Sequence, residues 1–165
     1  MTERRRPASP LDFEALALFT ADHAVEEGGK VYVNGGFWNS ITYPSYPARL
    51  TSSLVVVIQV PSRYFLENHR ITVEIVDADE ERLPFRIDGN MRVGAPVHMK
   101  PGDPALVPMA FPLNGLTLER AGDYWFVVSV DGNELTRYHV RAIQSVPVPQ
   151  QLPFDAPDGD DAEEE

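Results

Sequence analysis

Short stretches of alternating apolar and polar residues constrain this fold more than any other feature of the sequence. In Arg70–Val76, every second residue from Ile71 to Ile75 is Ile or Val, and the residues between them are polar. A period of two is typical of a β-strand that buries one face against a core. Leu50–Val60 is apolar on both faces over part of its length, which favours a central strand covered on both sides.

The same pattern predicts further strands, which turn signals separate. They are Lys30–Trp38, Leu83–Val93, Ala105–Leu113, Asp123–Val130 and Glu134–Ile143. We expect Asp88-Gly89-Asn90 to interrupt the second of these strands. Pro108 and Pro112 place the third at a sheet edge, because proline cannot donate a ladder hydrogen bond. Asp131-Gly132 predicts a hairpin between the last two strands.

The beginning of the chain is ambiguous between helix and strand. Phe13–Ala21 contains good helix formers. However, Glu26-Glu27-Gly28-Gly29 is typical of a hairpin or a short loop, and a strand-like segment follows it. We therefore favour a strand near Phe13–Asp22 that pairs with Val31–Phe37. A helix over residues 13–22 stays open as the alternative.

The fold class follows from the number and spacing of these segments. About seven or eight short antiparallel strands predict an all-β protein, an immunoglobulin-like Greek-key β-sandwich. A motif similar to the tyrosine corner supports it, because Gly122 is a turn glycine and Tyr124 then enters a strand. Gly35-Gly36 within a predicted strand indicates a bulge or tight bend. The chain has no cysteine, so an antibody-type domain with its disulfide is excluded.

Changes in composition predict one domain with two tails. Residues 1–10 are expected to be a flexible basic N-terminus, residues 11–144 the sandwich, and residues 145–165 a proline-rich and then acidic disordered tail. The last eleven residues carry seven acids and no base, which is typical of a solubilising segment. A docking tail for a basic partner is the alternative.

Charge and hydropathy exclude several classes of partner. The net charge of −11 argues against nucleic acid and anionic membranes. No apolar run reaches the roughly 20 residues that span a bilayer, so we expect no integral membrane contact. No apolar segment of a signal peptide follows Arg4–Arg6, so we expect a cytoplasmic protein.

The sequence contains no motif with the spacing of a catalytic or cofactor site. The histidines are His23, His69, His98 and His139. They are not spaced as metal ligands, and nucleophile-elbow, Walker and dinucleotide-binding patterns are missing. We therefore expect no enzyme activity and no cofactor.

Acidic turns leave one metal hypothesis open. The candidates are Asp77 and Asp79 in one predicted turn, Asp88 in a second and Asp131 in a third. Calcium takes about six to eight oxygen ligands, and loops at one end of a sandwich could supply them, as in C2 domains. Solvated turns use the same residue types, and that is the favoured interpretation.

Phe37–Pro47 is the most unusual stretch, because it combines aromatic residues with two prolines. Its candidate contact residues are Trp38, Tyr43 and Tyr46. Large rigid aromatic side chains recur in binding surfaces, so the segment could form an interaction surface. The alternative is structural, with Phe37 and Trp38 capping the core and the two tyrosines covering a sheet edge.

Four short motifs stand near the ends and turns of the predicted strands. They are Ala21-Asp22-His23-Ala24, Gly29-Lys30, Gly35-Gly36 followed by Phe37-Trp38, and Gly122-Asp123-Tyr124. In this order they resemble an uncharacterised bacterial β-sandwich family, a domain of unknown function, over about residues 13–143. The resemblance implies a fold and no activity.

Together these features predict a non-catalytic β-sandwich that serves as a protein-interaction or structural module, with an unknown protein partner. The alternative is a calcium-dependent C2-like sensor or membrane-docking module. The sequence names neither the partner nor the oligomeric state.

Overall fold

A computed structural model describes residues 12–94 and 97–146. The expectations for residues 1–10 and for the tail from residue 147 onward lie outside the described residues. Within the described part the chain forms eleven strands and one short 3-10 turn, Ser62–Tyr64. The strands are β1 (Glu14–Glu27), β2 (Lys30–Trp38), β3 (Ser40–Tyr43), β4 (Ala48–Arg49), β5 (Ser53–Val60), β6 (His69–Asp77), β7 (Arg82–Met91), β8 (Ala105–Pro112), β9 (Thr117–Leu118), β10 (Gly122–Val130) and β11 (Asn133–Gln144).

One layer of the sandwich is a four-stranded antiparallel sheet in the order β2-β1-β5-β8. The prediction that the first segment is a strand is confirmed. The Gly28-Gly29 turn joins β1 to β2 as a hairpin. The expected pairing of the first strand with 31–37 is confirmed for the partner strand, but the residues of β1 that take part lie further along the chain than expected. The first half of β1 pairs with β5, and only Thr20 to Glu27 pair with β2. A strand of 14 residues is long enough to serve two partners in succession.

The other layer is a five-stranded sheet in the order β3-β11-β10-β6-β7. Here β3 runs parallel to β11, which differs from the expected all-antiparallel arrangement. The chain leaves the edge of one sheet after Trp38 and joins the edge of the other at once, where the Arg141 backbone N–H donates to the Asn39 carbonyl at 2.8 Å. β3 therefore continues in the direction in which β2 runs. A short pair, β4 and β9, adds strands beyond the seven or eight expected.

The core lies between the two sheets and is built from alternate residues of their central strands. Its fully buried members include Leu54, Val56 and Ile58 of β5, Ile71, Val73 and Ile75 of β6, and Phe126 of β10. Val55, on the opposite face of β5, is only 1% exposed. The prediction that this strand is covered on both faces over part of its length is confirmed.

Turn-type residues do not break β7, so the expected interruption at Asp88–Asn90 is wrong. The strand runs through this segment, and Gly89 pairs with Ile71 in β6. The Asp88 carboxylate accepts hydrogen bonds from Arg70 and Thr72. These cross-strand bonds stabilise an extended backbone that the residue types alone do not favour.

The tyrosine-corner contact is present at the start of β10. The buried Tyr124 hydroxyl donates to the carbonyl oxygen of Arg120 at 2.8 Å. The bond ties the entry of β10 to the turn before it, as the motif predicted.

We expect Tyr124→Phe to lower the free energy of unfolding by about 1–3 kcal/mol, because it leaves the Arg120 carbonyl without its donor. Urea unfolding followed by circular dichroism measures this. Tyr32→Phe is the control, since that tyrosine is exposed and its loss should change little. Equal stability of Tyr124→Phe and the parent would contradict the corner.

Candidate interaction surface

The edge strands of the two sheets differ in how well they are protected against pairing with another chain. Proline, charge, bulges and short length are the usual protections. In the described residues, β8 carries Pro108 and Pro112, β7 carries Pro84 and several charges, and β3 has four residues. By contrast, β2 has nine residues, no proline and one charge, Lys30. Its bulge and this single lysine are the protections it has.

The bulge lies at Phe37, where the β1–β2 register shifts between Thr20 and Ala21. Gly35 has φ 63° and Phe37 has φ 69°, so both occupy the left-handed region. Glycine is favoured at position 35, because the backbone there has a left-handed φ and a Cβ would lie 2.2 Å from Asp22 Oδ2, so that the Asp22 side chain would have to move. Gly35 therefore has the structural role that the sequence predicted, and Gly36 beside it pairs with Ala21.

Phe37 is the most exposed aromatic residue in the described part of the chain, at 75%. Its ring stacks on Phe19, with the centroids 4.0 Å apart. A phenylalanine in the left-handed region costs roughly 1–2 kcal/mol of backbone strain. The molecule therefore holds a strained backbone at a residue whose ring stays largely in water.

Phe37 borders a group of apolar residues on the outside of the four-stranded sheet, which we call the outer apolar face; its members Val55 and Phe19 are buried, at 1% and 7% exposed. Register places Val55 between Phe19 and Ala110, and Val57 between Ala17 and Pro108. These pairs lie on the face opposite the core, because neighbouring residues of a strand point to opposite sides. Phe37 extends this face to the β2 edge.

The outside of the five-stranded sheet has the opposite character. Ion pairs cross it from strand to strand, including Arg70 with Asp88 at 3.1 Å and Arg141 with Asp123 at 2.8 Å. The hydrogen bond from Arg86 lowers the pKa of Asp88 to about 2. This face resembles an ordinary solvated surface.

The aromatic residues predicted as contact candidates are placed differently from Phe37. Trp38, Tyr43 and Tyr46 are partly buried and pack against the core. The Tyr43 hydroxyl donates to the Arg49 carbonyl at 3.0 Å, and the Tyr46 hydroxyl donates to the Ile143 carbonyl at 3.1 Å. Burial raises the pKa of both phenols. Adjacent positions 37 and 38 point to opposite faces, so the pattern could have shown that only one ring enters the core.

The four aspartates considered for calcium do not converge. Asp77 and Asp79 lie beside Arg120, at 3.0 and 3.7 Å. Asp131 lies at the other end of β6, 2.7 Å from His69, and Asp88 pairs with arginines in mid-sheet. Within the described residues, no three His, Asp or Glu side chains are grouped so that they could hold a metal ion.

A buried histidine that the sequence patterns did not single out anchors one end of the sandwich. His69 Nδ1 lies 2.7 Å from Asp131 Oδ2, and its ring contacts Phe13 and Tyr64. The other oxygen of Asp131 accepts the Arg70 backbone N–H at 2.8 Å. The hydrogen bond from His69 lowers the pKa of Asp131. This cluster joins the β10–β11 hairpin to the start of β1.

We expect Asp131→Asn to lower the free energy of unfolding at pH 7 by about 1 kcal/mol, the difference between a charge-assisted and a neutral hydrogen bond. Because the pKa of Asp131 is lowered in the folded state, its carboxylate stabilises the fold above about pH 4. That contribution is lost as the pH falls further. Urea unfolding between pH 7 and pH 2.5 should show the two proteins converging at low pH. Asp103→Asn, at an exposed turn, is the control; a pH-independent gap would contradict the assignment.

No helix in residues 12–94 or 97–146 is long and apolar enough to cross a membrane.

Comparisons with known proteins place the chain in a family but give it no activity. No curated protein matches the chain. One similar solved structure is the Pseudomonas fluorescens alkylpurine DNA glycosylase AlkC bound to DNA containing an abasic site analog, at 10% identity and a TM-score of 0.42. The match covers 79% of this chain and 30% of that one, and we draw no functional conclusion from it. The model of the Family of unknown function (DUF6941) matches residues 16–143, most of the chain, and the protein therefore belongs to this family.

Proposed function

We propose that the chain is a non-catalytic, immunoglobulin-like protein-interaction module of the cytoplasm, and that its contact surface is the β2 edge with the Phe37 ring. One observation carries the proposal. Phe37 has a left-handed backbone and a side chain that is 75% exposed, on the least protected edge strand of the described sheets.

Folding alone does not account for phenylalanine at this position. Glycine adopts a left-handed backbone without strain, and a polar side chain would avoid exposing an aromatic ring. The stack on Phe19 stabilises the fold by only about 0.5–1.5 kcal/mol beyond the contribution of the apolar area it buries. Strained backbone and exposed aromatic side chains are both features of binding sites, and here they occur in one residue.

In this proposal Trp38, Tyr43 and Tyr46 are supporting residues, which pack on the core side of the contact surface. The Trp38 carbonyl accepts hydrogen bonds from the Thr20 and Tyr138 hydroxyls. These bonds hold the residue after the bulge and so fix the direction of Phe37. The predicted surface over 37–47 is thereby narrowed to its first residue and the strand before it.

The calcium-dependent alternative has no comparable support. Its aspartates are distributed over both ends and the middle of the sandwich, and each has an arginine or histidine within 4 Å. A cation would have to displace these partners and bring the carboxylates together.

Site-specific photo-crosslinking tests the proposed function. A photoreactive phenylalanine analogue replaces Asn34 in β2, or Arg82 on the exposed edge of β7 as the matched control. In a lysate of the source cell, we expect the Asn34 probe to crosslink to a small set of proteins that the Arg82 probe does not reach. Adding Phe37→Gly should remove those crosslinks. The same products from both positions, or products that persist in Phe37→Gly, would contradict the proposal.

A further inference from the structure

We propose that the β2 edge binds an extended segment of another protein as an additional strand, and that this segment carries Lys or Arg beside apolar residues. This inference rests on the proposed function and specifies the chemistry of the partner.

The β2 backbone is suited to strand addition. Lys30 to Asn34 follow a regular antiparallel register with β1, from Glu27 opposite Lys30 to His23 opposite Asn34. In the described residues β2 pairs with no other strand. The residues from Tyr32 to Phe37 are all exposed, so an incoming strand could pair along this part of the free side, which is the basis of β-augmentation.

Side chains next to this backbone offer apolar contacts. Tyr32 is 56% exposed and Val33 43% exposed, and they are neighbours that project to opposite faces. Phe37 lies beyond them at the bulge. A strand laid along Lys30–Asn34 would meet Tyr32 on one face and Val33 on the other, which favours apolar side chains in the partner on both faces.

The charges of the two sheets indicate what else the partner carries. The strands β1, β2, β5 and β8 contain four acids and one base. The strands of the other sheet contain five acids and five bases, many of them in ion pairs. Asp22, Glu26 and Glu27 all lie on the part of β1 that pairs with β2. Electrostatic complementarity therefore favours a basic segment at this edge.

The same charges argue against a second copy of the chain as the occupant. Two copies paired through β2 would bring two sets of Asp22, Glu26 and Glu27 together, and each chain has a net charge of −11. Like charges at close range disfavour association.

Selection from a random ten-residue peptide display library tests the inference with the full chain as the target. We expect the selected peptides to be enriched in Lys or Arg together with β-branched or aromatic residues. Synthetic versions should bind with an affinity that falls as salt is raised. Two versions of each peptide carry methylated backbone nitrogens, one at the odd-numbered and one at the even-numbered residues. Only one of the two versions should lose binding, because an added strand donates only every second N–H to its neighbour.

Charge variants of the chain test the electrostatic part. The double substitution Asp22→Asn and Glu27→Gln should lower the affinity for the selected peptides by about two- to fivefold for each charge removed. Glu14→Gln, at the other end of β1, is the matched control and should have no effect.

The outcomes separate this inference from the proposed function. Peptides that bind through Phe37 but lack basic residues, or that still bind when either set of alternate nitrogens is methylated, would overturn the inference. They would not contradict the proposed contact surface. Selected peptides that bind Phe37→Gly as well as the parent would overturn both. A concentration-dependent dimer in sedimentation that protects the β2 amides would also overturn the inference, because the occupant would then be a second copy.

Discussion

Phe126→Ala should lower the free energy of unfolding by about 3–5 kcal/mol, the usual effect of removing a buried aromatic side chain. Phe126 lies in β10 at the centre of the five-stranded sheet and is fully buried against the four-stranded sheet. The cavity that remains would be lined by other residues of the central core, which can fill it only in part. Urea unfolding at pH 7, followed by circular dichroism, gives the difference directly.

The neighbouring residue provides the control for this substitution. Val127 is also buried but points to the other face of the sheet, outside the central core. Val127→Ala removes about two methyl groups, so we expect a loss of about 1–2 kcal/mol. Equal losses at 126 and 127 would show that the central core does not lie between the two sheets.

Phe37→Gly should weaken partner binding strongly while the protein stays folded. Removing the ring loses the stack on Phe19, at about 0.5–1.5 kcal/mol. The loss of the apolar area that the ring covers adds to this, whereas glycine at φ 69° relieves roughly 1–2 kcal/mol of backbone strain and so offsets part of the loss. An aromatic anchor at an interface commonly contributes 2 kcal/mol or more, so affinity for the crosslinked partner should fall by about thirtyfold or more.

Leu66 offers a matched control for Phe37. It also has a left-handed backbone, with φ 67°, and an apolar side chain that is 58% exposed. It is not part of β2, and its backbone N–H donates to the Val93 carbonyl. Leu66→Gly should therefore leave partner affinity unchanged. Similar losses of affinity for the two variants would show that the effect comes from backbone flexibility in general.

The local sequence pattern was sufficient to predict most of the fold. Alternation in Arg70–Val76 and in Asp123–Val130 identified β6 and β10 to within one residue at each end, because each strand buries one face. The Gly122 to Tyr124 motif identified the corner, since its hydrogen bond spans only four residues. The prolines of β8 correctly placed it at an edge.

Non-local contacts set the features that sequence patterns missed. The parallel pairing of β3 with β11 joins residues about a hundred positions apart, and no local signal specifies it. The contact between His69 and Asp131 spans 62 positions. Asp88 stays in a strand because Arg70 and Thr72 of the next strand bind its carboxylate.

The candidate surface was only partly predictable for the same reason. Aromatic composition drew attention to the segment from Phe37 to Pro47, and the glycine pair indicated a bulge. Whether a given ring is buried depends on which sheet the segment joins after Trp38. The register with β1 and β11 decides this, and it leaves Phe37 outside.

Amide hydrogen exchange with and without the crosslinked partner tests the central claim most directly. If the β2 edge is the contact surface, amides of Lys30–Trp38 should exchange more than tenfold more slowly in the complex, while those of β7, Arg82–Met91, at the edge of the other sheet, keep their rates. Slower exchange in β7 or in the turns, with unchanged rates in β2, would contradict the claim.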